Sequence, residues 1–164
     1  HARIYTRPQE PPPILVSGFG PKSVDLAARI GDGYVTTMPD KDIIERFRAN
    51  GGAGKPVQAG TKVCYAPNEA EARRTAHRLW PNEVLPGELA QVLSTPEHFE
   101  QASSLVTEDM VAESVPCGPD LDRHMEAIQE YADAGVDELY VQQIGDRQAE
   151  FFELLSREVV PRFA

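Results

Sequence analysis

The feature that most constrains this chain is an alternation of short apolar runs with amphipathic helical segments, punctuated by glycine and proline. Ile14–Phe19 (ILVSGF) is a compact apolar run of the kind a buried strand carries. Gly20-Pro21 follows, and proline suits the first position of a helix, where its missing N–H would be unpaired anyway. Lys22–Ile30 then presents Val24, Ala27, Ala28 and Ile30, and Gly31 stops the helix. Tyr34–Thr37 reads as a second strand. Asp40 caps a second helix with Ile43, Ile44 and Phe47 on one face, closed by Gly51-Gly52. Lys62–Ala66, with a start that could lie near Ala59, reads as the third strand. Asn68 and Glu71 form a capping-box pattern at the head of a helix over Glu69–Leu79.

Residues 82–118 break this rhythm and read as a helical or irregular insertion, with helix starts at Thr95-Pro96 and Thr107. The rhythm then resumes. Over Asp120–Ala134 the residues Leu121, Met125, Ile128 and Ala132 make one apolar stripe. Glu138–Ile144 is a fourth strand, and Asp146 is expected to cap a last helix running to about Val160. Ahead of the first strand, Ala2–Arg7 alternates weakly and reads as a short strand before the proline cluster at Pro8 and Pro11–Pro13.

Strands alternating with helices imply the α/β class with a parallel sheet. Four strands cannot close a barrel, which needs about eight strands and roughly 250 residues. The sheet is therefore either open with helices on both faces or half of a barrel. At 164 residues the chain is expected to be a single domain over 1–164. His1 stands where a Met would open a chain, which suggests that the sequence begins inside a longer protein. A formal net charge of −10 argues against nucleic acid, since phosphate neutralisation needs clustered Lys and Arg. No apolar run has the length of a membrane span and no secretory signal opens the sequence, so a cytoplasmic location is expected. Cys64 and Cys117 form no CxxC motif and read as buried thiols in a reducing compartment.

The best local signal for chemistry is the run Ser17, Gly18, Phe19, Gly20, Pro21, Lys22, Ser23 between a strand and a helix. Glycines let a backbone approach a ligand closely, and the first N–H groups of a helix face an anion. The run is either a phosphate site or a plain tight turn, because the third glycine of a dinucleotide fingerprint is missing. Strand C-terminal ends are where α/β folds place ligands, and they bring forward Thr36-Thr37, Cys64-Tyr65 and Gln142-Gln143. His77, His98 and His124 show no metal-ligand spacing and are read as surface or capping histidines; no metal is expected. No nucleophile–base constellation is present, so no catalytic residue is assigned in this chain.

The segment PPPILVSGFGPKSVDLAARIGDGYVTT resembles the middle of luciferase-like (LLM class) oxidoreductases that use the deazaflavin coenzyme F420. KVCYAPNEAEARRTAHRLWPNEVLPGELAQ, EDMVAESVPCGPD, ELYVQQIG and FFELLSREVVPRF resemble the rest of the same proteins, in the same order. The branch resembled is that of F420-dependent glucose-6-phosphate dehydrogenase. The resemblance implies the C-terminal half of a (β/α)8 TIM barrel: four parallel strands with a helical insertion before the last.

It further implies that Ser17, Gly18, Phe19, Gly20, Pro21, Lys22 and Ser23 hold the coenzyme's phosphate. Thr37 would touch substrate, and Gln143 is added to it from the strand-end candidates. The pattern departs where the sugar-phosphate enzymes carry cations: Asp40 and Val111 stand at or near two lysine positions, and Ala149-Glu150 near an arginine. Glucose 6-phosphate is therefore not the expected substrate. The family's catalytic His and Glu belong to its first half. The implied function is hydride transfer between F420 and a small organic substrate. The chain would pair with the N-terminal half of the barrel and form a homodimer, and alone it would be inactive. Two alternatives stand: a non-catalytic cofactor-binding half-barrel, and a monooxygenase using FMN at the same turn.

Overall fold

The computed structural model describes Tyr5 and residues 8–163; the strand expected at Ala2–Arg7 lies, Tyr5 apart, outside the described residues. Four strands form one parallel sheet: β1 (Leu15–Ser17), β2 (Gly33–Thr36), β3 (Val57–Val63) and β4 (Glu138–Gln143), in the spatial order β1-β2-β3-β4. Leu15 pairs with Gly33, Ser17 with Val35, and Thr36 with Ala59. Each strand lies beside its predecessor, the order of a barrel wall; an open doubly wound sheet reverses direction at a switch point.

Helix α1 (Pro21–Ile30) begins at the expected proline and buries Val24, Ala27 and Ala28. Helix α2 (Lys41–Phe47) is capped as expected: the Asp40 carboxylate accepts the Ile43 N–H at 3.1 Å. The chain continues through a wider turn over Arg48–Gly52. Strand β3 starts earlier than expected, at Val57. Its one face is Val57, Ala59 and Val63, and the residues between, Gln58 and Gly60, are not apolar. A one-sided strand with a glycine does not read as a continuous apolar run. Asp137 fixes its start, accepting the Val57 N–H at 2.8 Å and an Arg48 N–H at 3.0 Å.

Beyond Val63 the backbone leaves β3 for a different partner. Cys64 donates its N–H to Pro116 O at 2.8 Å, and Gly118 returns an N–H to Cys64 O at 2.9 Å. Asn68 caps α3 (Glu69–Leu79), Thr95 caps α5 (Pro96–Ser103) and Thr107 caps α6 (Glu108–Ser114), each at the expected residue; a short α4 (Leu89–Val92) precedes α5.

Helix α7 (Leu121–Asp133) forms where expected but is rotated. Its buried stripe is His124, Ile128 and Tyr131, while Ala132 is exposed. The last helical region, α8 (Gln148–Leu154), runs on through a wider turn at Leu155–Val159 into α9 (Val160–Phe163). The expected Asp146 cap is not used. Arg147 is the N-cap residue, with no side-chain cap, and its guanidinium instead reaches Glu71 and Glu150.

The chain divides into two compact units: residues up to Gly60 with Glu130–Tyr140, and Thr61–Gln129 with residues from Val141 on. The first is built on Val24, Ala27, Tyr34, Ile44, Phe47 and Val57. The second is built on Cys64, Ala72, Ala76, Val111, Val115 and Ile144. Among the described residues no helix is long and apolar enough to cross a membrane.

Candidate functional site

In the first unit, β1 hands over to α1 through Ser17–Ser23, and the turn is bonded from within. The Ser23 hydroxyl accepts the Gly20 N–H at 3.1 Å and donates to the Gly20 carbonyl at 2.8 Å. Gly18 is buried so tightly against Ser23 that a Cβ would sit 2.7 Å from the Ser23 Cβ. Glycine is required there by close approach. Gly20, with φ −117°, has room: its nearest neighbour to a Cβ would be Ser23 Oγ at 3.9 Å.

Beneath the turn, the fully buried Tyr34 donates its hydroxyl to Gly18 O at 2.6 Å, and its ring stacks on Phe47 with centroids 5.2 Å apart. Burial pushes the Tyr34 phenol up, so it remains a protonated donor. Ser17, Phe19, Pro21, Lys22 and Ser23 stay exposed above.

The electrostatics of the turn favour an anion. The first turn of α1 carries Lys22 and no acidic residue. Asp25, next along the helix, is held by Arg46 through two bonds of 2.8 and 2.7 Å and by Asn50 at 3.0 Å. The Arg46 guanidinium keeps that carboxyl below the usual range and offsets its charge. The N-terminal end of the helix dipole adds to this.

At the end of β2, Thr36 is buried and its hydroxyl closes a turn on Met38, accepting from Met38 N at 3.2 Å. Thr37, the candidate substrate residue, is exposed, and its carbonyl accepts the Tyr131 hydroxyl at 3.0 Å.

In the second unit, Gln143 is buried. It accepts the Tyr65 N–H at 2.9 Å and donates to Tyr65 O and Ile144 O, both at 2.9 Å. Both of its donors are committed to backbone, and Gln142 is the exposed member of the pair. Cys64 donates to Ala72 O at 3.2 Å; its hydrogen bond with Cys117 and burial push its thiol up. Both cysteines are free and buried.

His124, expected at the surface or as a cap, is buried: it is 2% exposed, with Nε2 bonded to Gly118 O at 2.8 Å and Nδ1 without a partner. Burial lowers its pKa below the ordinary imidazole value. His77 bonds Val106 O at 2.8 Å. Among the described residues no three metal-ligating side chains converge. Sequence reasoning missed Tyr34, since a lone tyrosine in a strand carries no motif.

The profile of the luciferase-like monooxygenase family matches residues 1–138. An F420-dependent glucose-6-phosphate dehydrogenase of Segniliparus rotundus is 28% identical over 98% of this chain and 51% of its own length. One from Beutenbergia cavernae is 28% identical with the same coverage. The chain thus spans about half the length of the curated relatives it matches.

Among solved structures, an F420-dependent secondary alcohol dehydrogenase in complex with an F420-acetone adduct superposes with TM-score 0.80 at 21% identity. It is covered over 52% of its length, and 99% of this chain is covered. The coenzyme F420-dependent tetrahydromethanopterin reductase of Methanopyrus kandleri gives 0.66 at 21% identity, covering 93% of this chain and 51% of its own. The oxygenating constituent of 3,6-diketocamphane monooxygenase from Pseudomonas putida, in complex with FMN, gives 0.55 at 20% identity over 92% and 49%.

Proposed function

The chain belongs to the luciferase-like monooxygenase family and has the fold of half its TIM barrel, and on that premise we propose that it is the C-terminal half of a coenzyme F420-dependent oxidoreductase. The observation that carries the proposal is the turn Ser17–Ser23. It offers a glycine cradle, the N-terminal end of a ten-residue helix and Lys22, with Asp25 of the same helix paired to Arg46. These are the properties a phosphate needs, so the residues present fit the phosphate-bearing end of such a coenzyme. F420 is favoured over FMN because both quoted relatives and the two structures of highest TM-score quoted are F420-dependent by name. FMN at the same turn is the second reading, favoured by the FMN-bound neighbour.

When bound, F420 supplies hydride transfer to or from an organic substrate. In this reading the chain's own residues orient and exclude water, while acid–base groups come from the barrel's first half. Thr37, exposed at the end of β2, contacts substrate. Gln143 is spent on holding the backbone at Tyr65. The substrate is less anionic than glucose 6-phosphate. Asp40 is spent on capping α2, Val111 is fully buried, and Glu150 is paired with Arg147, so none of these positions offers a cation.

Native mass spectrometry of the complete protein with F420 and with FMN tests this. One F420 per barrel, with turnover of a neutral alcohol or carbonyl substrate and none from this chain alone, is the expected result. Retention of FMN selects the second reading. Binding of neither coenzyme by a folded protein overturns both.

A further inference from the structure

We infer that Tyr34 is a positioning residue that aims the Phe19 N–H out of the Ser17–Ser23 turn toward a bound phosphate, an inference that rests on the anion-site reading above. In a trans peptide the carbonyl of one residue and the N–H of the next point in opposite directions. Among the described residues no peptide bond is cis. Tyr34 Oη lies 2.6 Å from the Gly18 carbonyl and pulls it inward, into the packed side of the turn. The other end of the same peptide plane, the Phe19 N–H, is thereby turned outward, where Phe19 is 57% exposed. Among the described residues no hydrogen bond uses the Phe19 N–H.

The neighbouring donor is already spent, since the Gly20 N–H goes to Ser23 Oγ and Pro21 has none. The turn therefore depends on Phe19 and the first turn of α1 for its anion contacts. Glycine at 18 lets the Gly18–Phe19 peptide plane rock more widely than another residue would, and the Tyr34 bond narrows that range. Tyr34 can hold it because its own ring is clamped: it is fully buried and stacked on Phe47. Holding the donor in place before a ligand arrives removes an ordering cost from binding.

The test uses the complete protein labelled with 15N at phenylalanine and titrated with inorganic phosphate, with the Phe19 amide assigned by Phe19→Leu. In the wild type the Phe19 amide shifts with phosphate. Tyr34→Phe keeps the ring and removes the donor, and the phosphate Kd is expected to rise roughly three- to tenfold with a smaller Phe19 shift. Phe47→Leu loosens the clamp but leaves the hydroxyl; it lowers Tm at least as much while changing the phosphate Kd less, which separates positioning from mere stability. An unchanged Kd in Tyr34→Phe overturns the inference and leaves the anion site standing. No phosphate-dependent shift in the wild type overturns the anion site, and the inference with it. If Tyr34→Phe loses its fold, replacing tyrosine with 3-fluorotyrosine, a stronger donor on the same ring, reads the same bond: tighter phosphate binding supports the inference and unchanged binding overturns it.

Discussion

Gln143 satisfies the Tyr65 peptide groups from both sides, accepting the N–H and donating to the C=O at 2.9 Å each. A side-chain amide has one acceptor and one donor face, so it replaces a missing strand partner at the point where β3 has ended. Gln143→Leu preserves the approximate volume and leaves two backbone groups unpaired. The expected cost is about 2 kcal/mol, within the usual range for stranded buried polar groups, read as a lower midpoint in urea unfolding. A change below about 0.5 kcal/mol would show that water replaces the amide at this position.

The two glycines of the Ser17–Ser23 turn are predicted to fail in different ways. Gly18→Ala places a methyl 2.7 Å from the Ser23 Cβ, so the turn must move. Thermal stability and coenzyme binding should both fall. Gly20→Val meets nothing closer than 3.9 Å at its Cβ and needs no unusual φ. Its stability should stay within about 1 kcal/mol of wild type, while coenzyme affinity drops because the side chain occupies space above the turn. Equal affinity in a stable Gly20→Val protein would remove the phosphate from this turn.

His124 makes stability fall in acid. Burial holds its folded-state pKa below the ordinary 6.5, so the unfolded chain binds the proton more readily. Its contribution is complete above that ordinary value and is lost as pH falls below it toward the depressed folded value. The slope contributed is at most about 1.4 kcal/mol per pH unit. Denaturation midpoints measured between pH 8 and pH 5 in wild type and His124→Phe should diverge at the high end and converge in acid. Parallel curves would assign the acid sensitivity elsewhere.

Asp40→Ala removes the carboxylate that accepts the Ile43 N–H. It is expected to cost about 1 kcal/mol, as N-caps do. Because Asp40 is committed to this cap, Asp40→Lys should lose the same stability without conferring turnover of glucose 6-phosphate. Appreciable turnover of that sugar phosphate would show that one cation is enough.

The legible part of this molecule was local. Asp40, Asn68, Thr95 and Thr107 cap the helices they were expected to cap, because a cap is decided by two or three neighbouring residues. The turn from β1 into α1, with proline at the head of the helix, was legible for the same reason. The displaced start of β3 was not, since Gln58 and Gly60 are set by what faces them across the sheet. Gln142 and Gln143 are adjacent and chemically identical; only the register of β4 decides that Gln143 is buried. The burial of His124 and the brace from Tyr34 to Gly18 likewise depend on residues distant in the chain, and no spacing rule encodes them.

The bridge between Cys64 and Cys117 bears on how the chain finds its fold. The bond between Ile144 N–H and Val63 O closes a loop that contains the whole insertion. A long closure pays its entropy before it gains contacts. Pairing Cys64 with the 116–118 segment first divides that search into two shorter ones. The segment is packed in one core cluster with residues of α3 and α6. A chain weakened at Pro116–Gly118 would therefore fold more slowly even where its final stability changed little.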